Sequence, residues 1–174
     1  MDLFDAIRRR HSYRGEFTDA AVPRSDLEKI VQAAIDAPSG CNAQTTSFVA
    51  VDDPDLLGQI AEIVNKPVCR AAKAMIVFVA DWHPAYGNTS FAVEDCAAAV
   101  ENVLLAITGL GYATVWLDGV LRVENRAARI GELLGVPPEK TVRVLLPIGV
   151  AAQRGQPREK LPFDQRAWFN RYGG

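Results

Sequence analysis

Apolar residues recur at helical spacing in two segments near the N-terminus of the chain. The spacing predicts a short helix over residues 2–10 and a second helix over residues 25–37. The apolar faces of these helices comprise Leu3, Phe4 and Ile7 in the first, and Leu27, Ile30, Val31, Ala34 and Ile35 in the second. Ser25 and Glu28 match a capping box, and Pro38 begins a turn that stops the second helix.

Continuous apolar runs predict the strands, which fall at residues 47–52, 75–79, 113–117 and 142–150. The run at 75–79 holds no polar residue, so we expect a strand buried on both faces. Two helices lie between these strands. Asp53-Pro54 opens the first, which runs towards Asn65 and which Pro67 is expected to end, and the second covers residues 124–134 and closes on Gly135. The alternation predicts one α+β or α/β domain, spanning residues 1–174, around a single sheet.

The segment over residues 91–110 predicts an unusually apolar helix. Its few polar positions form a narrow stripe, in which Glu94 and Glu101 lie seven residues apart, as do Asp95 and Asn102. A helix of this kind is normally surrounded by protein. The pattern leaves two interpretations open: a central core helix of a monomer, or a helix covered by a partner subunit.

Composition narrows the classes of function. The chain has 174 residues, 49% of them apolar, a net charge of −2 and a pI of about 5.7, which disfavours a general nucleic-acid binder. The cysteines Cys41, Cys69 and Cys96 form no CxxC pair, so we expect reduced thiols in a cytoplasmic protein, without a disulfide framework or metal site. We expect no signal peptide and no membrane span, since the apolar runs are short.

Two basic clusters stand out against this weakly acidic background. Residues 9–14 (Arg-Arg-His-Ser-Tyr-Arg) place three cations and a hydroxyl directly after the apolar start of the first helix. Arginine binds phosphate oxygens in a planar fork and serine adds a short donor, so the cluster is suited to a phosphate. An exposed helix end, where cations complement the helix dipole, is the alternative. Arg154, Arg158 and Lys160 form a second cluster after the last strand, which is either the rest of a phosphate site or a solvated tail.

The loop at residues 37–44 (Ala-Pro-Ser-Gly-Cys-Asn-Ala-Gln) concentrates polar groups between a helix and a strand. The amides of Asn42 and Gln44 donate and accept, which suits the edge of a heterocycle, whereas a simple helix-ending turn is the alternative. A catalytic Cys41 thiol is disfavoured because no matching cysteine–histidine motif accompanies it. The Gly-Leu-Gly at residues 109–111 follows a helix and precedes a strand, which is the wrong order for a Rossmann fingerprint. The sequence also lacks a Walker A motif.

Taken in order, these segments resemble the FMN-dependent nitroreductase family. Residues 10–14 match its Arg-x-Ser-x-Arg pattern, and residues 37–44 resemble its Ala-Pro-Ser-x-x-Asn-x-Gln loop. Residues 94–106, followed by Gly-Leu-Gly and Trp116, are similar to its central helix and the strand after it. The closing strand and the basic tail at residues 158–160 complete a resemblance that covers nearly the whole chain.

The resemblance implies an α+β fold with a central, mostly antiparallel sheet flanked by helices. It also implies a homodimer with two FMN sites at the subunit interface, which would cover the apolar helix at 91–110. The cofactor-binding residues that it implies are Arg10, His11, Ser12, Arg14, Pro38, Ser39, Gly40, Asn42, Gln44, Asn65, Trp116, Leu117, Asp118, Gly119, Arg158 and Lys160. Residues 10–14 and 158–160 would hold the phosphate and ribityl chain, and residues 38–42 would approach the flavin from the other subunit.

The implied activity is ping-pong hydride transfer from NAD(P)H, through flavin N5, to a nitroaromatic, quinone or similar conjugated acceptor. The flavin supplies the chemistry, so no side chain is expected to act as a catalytic acid, base or nucleophile. Two alternatives from other classes remain: a flavin storage or sensor module without nicotinamide turnover, and a binder of another phosphate ester.

Overall fold

A computed structural model describes residues 1–173 of the chain. The α-helices of that part are α1 (Leu3–Arg9), α2 (Arg24–Ile35), α3 (Pro54–Val64), α4 (Pro67–Arg70), α5 (Ala92–Gly109) and α6 (Arg126–Leu133). The strands are β1 (Thr46–Val51), β2 (Ala74–Ala80), β3 (Ala113–Thr114) and β4 (Thr141–Gly149). Short 3-10 turns cover Gly40–Asn42, Gly119–Arg122 and Phe163–Gln165.

The four strands form one antiparallel sheet in the order β1-β2-β4-β3. Every residue of β2 is buried, as its unbroken apolar run predicts, because helices cover both faces of the sheet. Ile76 and Phe78 pack with α2 and α5 on one face, whereas Met75 and Val77 pack with α3, α4 and α6 on the other. The α+β architecture with a central antiparallel sheet is therefore confirmed.

A β-bulge interrupts the pairing of β2 with β4. Phe78 pairs with Val144 and Val79 pairs with Val142, so Arg143 is the extra residue of β4. A bulge changes the direction of a side chain that would otherwise follow the strand alternation. Here it places the Arg143 guanidinium against the carboxylate of Asp118, outside the apolar layers.

Most helix boundaries agree with the sequence predictions. The Asp53 carboxylate accepts hydrogen bonds from the amides of Asp55 (3.0 Å) and Leu56 (2.9 Å), which fixes the start of α3. Gly135 ends α6 with a φ of +67°, as expected of a left-handed C-cap.

Three local predictions are wrong. Pro23 occupies the N-cap of α2 and no side chain caps that end, so the Ser25 capping box does not form. Asn65, in the left-handed conformation, ends α3, whereas Pro67 begins α4. Proline suits the first turn of a helix because that turn needs no amide partner. β3 covers only two of the five residues that the apolar run suggests.

The apolar face of α1 points to solvent in the single chain. Leu3, Phe4 and Ile7 remain 61%, 67% and 47% exposed, although α1 itself packs against α5. Four large apolar side chains near the C-terminus are exposed as well: Leu161, Phe163, Phe169 and Tyr172. Within residues 1–173, no helix has the length and apolarity needed to cross a bilayer.

Candidate functional site

The basic cluster at residues 10–14 forms one wall of a cleft. Arg10 ends α1 in an extended conformation (φ −55°, ψ 126°), and the chain then continues without helical structure. Tyr13 points inwards: it is buried, its amide donates to the carbonyl of Thr114 (2.8 Å), and its hydroxyl donates to the carbonyl of Glu16 (2.6 Å). This anchor leaves Ser12 and Arg14, on either side of Tyr13, exposed to the cleft.

Backbone contacts bring the C-terminal basic tail to the same place. Phe17 and Ala151 form an antiparallel bridge, and the Thr18 amide donates to the carbonyl of Val150 (2.8 Å). Gly155 then packs directly on the His11 imidazole, where an added Cβ would overlap Nε2. The ring is held in place because its Nδ1 lies 2.9 Å from the carbonyl of Arg9 and acts as the donor.

The resulting cleft has a volume of about 810 Å³. Its lining residues are Ile7, Arg8, Arg10, His11, Ser12, Arg14, Glu101, Gln156, Pro157, Arg158 and Lys160. Five cations and one carboxylate therefore face the same space. The structure thus brings together six of the residues that the sequence predicted for phosphate binding: Arg10, His11, Ser12, Arg14, Arg158 and Lys160.

The cations of the cleft differ in their partners. Arg8 pairs with Asp5 at 2.5 Å, and Arg10 Nε lies 3.5 Å from Glu101 Oε1 on α5. Arg14, Arg158 and Lys160 make no ion pair with any carboxylate among residues 1–173. Three exposed cations therefore retain their hydrogen-bond donors for an anionic ligand.

The loop at residues 38–44 has a strained backbone. Cys41, Asn42 and Gln44 adopt φ values of 53°, 54° and 51°, and none of them is glycine. Left-handed backbone costs an L-residue on the order of 1–2 kcal/mol. Within the loop, the Gln44 amide donates to the Ser39 hydroxyl at 3.0 Å. The side chains of Asn42 and Gln44 lie at the surface, so the loop presents its amide groups outwards.

Hydrogen bonds to Asp95 of α5 and packing on Phe91, which precedes that helix, hold this loop in place. The Asp95 carboxylate accepts from the Gly40 amide (2.7 Å) and from the Thr45 hydroxyl (2.6 Å). Both Asp95 and Thr45 are buried. Gly40 also packs so closely on the Phe91 ring that an added Cβ would overlap the ring atoms.

The loop and the basic cleft remain separate within one chain. Pro38, Ser39 and Gln44 line a smaller cavity of about 200 Å³, which shares no residue with the basic cleft. A ligand that contacts both regions therefore needs them from different copies of the chain, or an approach over the surface between them.

Asn65 and residues 116–119 also lie outside the basic cleft. The Asn65 side chain accepts from Arg70 at 2.5 Å. Leu117 pairs with Leu145 through two backbone hydrogen bonds of 2.9 and 3.1 Å, which extends the sheet beyond β3. These positions remain predictions as cofactor contacts.

Asp118 is fixed by two arginines at the end of this extension. Arg122 binds its carboxylate in a bidentate pair at 2.7 and 2.8 Å, and Arg143 contacts the same carboxylate. Burial alone would raise the pKa of the Asp118 carboxyl, but the hydrogen bond from Arg122 and the charges of Arg143 and Arg122 bring the pKa below its usual range. The carboxylate thus stays ionised and holds the residue 116–119 backbone in place.

Sequence patterns missed Glu101, Asp95 and Thr45 as parts of the candidate site. The available signal was the polar stripe on α5, because a carboxylate on an otherwise apolar helix needs a partner. The partners of Asp95 lie 50 and 55 residues away in the sequence, so no local motif connects them.

A family model described as the Nitroreductase family matches residues 7–70 and 62–150 of the chain. A protein of Archaeoglobus fulgidus with the provisional name NADH dehydrogenase/NAD(P)H nitroreductase is 37% identical over 134 residues, which cover 76% of each protein.

Solved structures show the same fold. A Bacteroides thetaiotaomicron protein with the same provisional name matches with a TM-score of 0.85 at 24% identity, over 98% of both chains. An FMN-dependent nitroreductase of Clostridium difficile R20291 matches with a TM-score of 0.82 at 25% identity, over 97% of this chain and 99% of that one.

The Asp118 network predicts an acid-dependent loss of stability. A depressed carboxyl pKa stabilises the fold at pH values above the unfolded pKa of about 3.9, and the stabilisation disappears as pH falls through the lower folded pKa. We expect Asp118→Asn to reduce the free energy of unfolding by about 1–2 kcal/mol at pH 7, with the difference shrinking below about pH 4. Urea unfolding across this range measures it, with Glu139→Gln, at an exposed position, as control. A difference that is independent of pH contradicts the assignment.

Proposed function

This chain belongs to the nitroreductase family, and from that premise we propose that it is an FMN-dependent oxidoreductase that uses NAD(P)H. The acceptor that we propose is a nitroaromatic, a quinone or a similar conjugated compound. The names of its relatives support NAD(P)H as the donor and, in the case of the Clostridium difficile protein, FMN as the cofactor.

The basic cleft is the observation that carries the proposal. Its volume of about 810 Å³ lies within the range of roughly 300–1,000 Å³ typical of small-molecule sites. Arg14, Arg158 and Lys160 make no ion pair within residues 1–173 and match the charge and the acceptor oxygens of a phosphate monoester, and Ser12 adds a neutral donor. The residues present therefore fit the phosphate and ribityl part of FMN.

The residues divide into two groups by the part of FMN that they would hold. Arg10, Ser12, Arg14, Arg158 and Lys160 would bind the phosphate and ribityl chain, with the His11 ring supporting that wall. The polar loop at residues 38–44, Asn65 and residues 116–119 would surround the isoalloxazine ring. The amides of Asn42 and Gln44 suit its edge because they both donate and accept.

The protein's own contribution is binding and orientation. Bound FMN supplies the hydride chemistry between the nicotinamide and the acceptor. Arg10, whose Nε lies 3.5 Å from Glu101, would present its terminal guanidinium amino groups to an anionic part of the bound ligand. The apolar side chain of Ile7 borders the cleft.

A second copy of the chain would complete the site. A partner subunit would remove from water the exposed apolar face of α1 and the exposed apolar residues near the C-terminus. In addition, the cavity at the loop and the basic cleft share no lining residue within one chain. A homodimer satisfies both needs if the loop at residues 38–44 of one subunit faces the cleft of the other.

A flavin spectrum recorded during titration with NADH, and then with NADPH, tests the activity. We expect the purified protein to be yellow and to lose its visible flavin absorption when one of these donors is added anaerobically. A conjugated acceptor should then restore the colour. Protein that binds FMN but is bleached only by dithionite would support a storage or sensor module. Protein that takes up no FMN rules out the proposed function.

Charge reversal tests the phosphate site. We expect Arg14→Glu to weaken FMN binding by about tenfold or more, because it replaces a charge-assisted hydrogen bond with a repulsive charge. Arg9→Glu is the matched control, since Arg9 is exposed, belongs to the same sequence cluster and does not line the cleft. FMN fluorescence quenching measures both affinities. Equal affinities of the two variants would show that Arg14 does not bind the phosphate.

The proposed dimer depends on the apolar face of α1. We expect Phe4→Glu to produce a folded monomer, because a charge would be buried in the subunit interface. Sedimentation velocity measures the mass, and Val123→Glu is the control because Val123 is 50% exposed and precedes α6 on the other side of the sheet. A Phe4→Glu protein that remains dimeric would place the interface elsewhere.

A further inference from the structure

The Asp95 carboxylate is a buried charged group that the proposed activity does not use. It lies in the first turn of α5, is 5% exposed, and has no arginine or lysine partner among residues 1–173. Burial of a carboxylate is unfavourable unless hydrogen bonds satisfy its oxygens. Here each oxygen accepts one bond: Oδ1 from the Gly40 amide at 2.7 Å and Oδ2 from the buried Thr45 hydroxyl at 2.6 Å.

The two donors bracket the strained part of the loop. Gly40 precedes Cys41 and Asn42, whose φ values are positive, and Thr45 follows Gln44, whose φ is also positive. Non-glycine residues persist in this conformation when the surrounding structure fixes them. A single carboxylate, attached to a rigid helix, fixes both ends of the strained segment.

We propose that Asp95 is a positioning residue, whose carboxylate clasps Gly40 and Thr45 and thereby holds the loop at residues 38–44 in the shape that receives the flavin ring. This inference rests on the proposed function, since that function supplies the ligand. Phe91, the N-cap residue of α5, supports the same loop by packing on Gly40. The clasp acts through the loop and does not itself touch the ligand.

The chemistry of the clasp predicts which substitutions are tolerated. The Asp95→Asn variant would keep both hydrogen bonds, because the new carbonyl can accept from the Gly40 amide while the new amide donates to the Thr45 hydroxyl. The Asp95→Ala variant would lose both bonds. Thr45→Val keeps the shape of the side chain and loses one bond, so it tests the clasp without an unpaired amide at Gly40.

FMN affinity and the visible spectrum of bound FMN form the first readout. We expect Asp95→Ala to weaken FMN binding by at least about tenfold and Thr45→Val by about threefold or more, with Asp95→Asn close to the parent. At saturating FMN, the shape of the flavin absorption band should change in the alanine variant and not in the asparagine variant. Glu94→Ala is the matched control, because Glu94 is the adjacent carboxylate on α5 and is exposed.

Hydrogen exchange of the protein without FMN forms the second readout, which is independent of the proposed function. The Gly40 amide should exchange faster in Asp95→Ala than in the parent, and Asp95→Asn should restore the protection. Unaltered exchange in a folded Asp95→Ala protein overturns the clasp. An Asp95→Asn variant whose FMN affinity is as low as that of Asp95→Ala also overturns it. If Asp95→Ala does not fold, a Thr45→Val variant with the FMN affinity and flavin spectrum of the parent overturns it. A parent protein that binds no FMN overturns the proposed function instead.

Discussion

The packing of α5 against the sheet is the constraint on which the candidate site depends. Cys96, Val100, Val103 and Ile107 form the buried face of this helix, which also contacts α1 and α2. The helix cannot rotate without exposing this face to water. Each group on its other faces therefore has a fixed direction, including Asp95 beneath the polar loop and Glu101 in the basic cleft.

The helical repeat explains why the loop and the cleft are separate. Asp95 and Glu101 are six residues apart, which corresponds to about 9 Å along the helix axis and about 240° around it. They therefore serve two different sides of α5. The exposed apolar face of α1 and this division of the site are independent observations, and a second copy of the chain would explain both.

The sequence predicted the parts of the molecule that local patterns determine. The apolar run of β2, the Asp53 cap of α3 and the Gly135 end of α6 are all confirmed. The family resemblance assigned Arg14 and Lys160 to one phosphate site; both line the same cleft, and their role in binding phosphate stays a prediction. The end of α3 is close to where the pattern puts it, but Asn65 ends the helix, and Pro67, which we expected to end it, begins α4 instead.

Long-range geometry accounts for the features that the sequence did not predict. In the sequence, Asp95 is only one position of a polar stripe on a helix. Its role was not predictable because its two hydrogen-bond donors come from a loop that is distant in the sequence. The bulge at Arg143 depends on the register between β2 and β4, which no single strand encodes. The positive φ values at Cys41 and Gln44 run against the intrinsic preferences of these residues, so tertiary contacts must impose them.

A crystal structure of the protein grown with FMN tests the central claim most directly. The account predicts a dimer in which the phosphate contacts Arg14 and Lys160 of one subunit, while the loop at residues 38–44 of the other subunit lies against the flavin ring. A phosphate bound away from the basic cleft, or a flavin ring held by a single subunit without that loop, would contradict it.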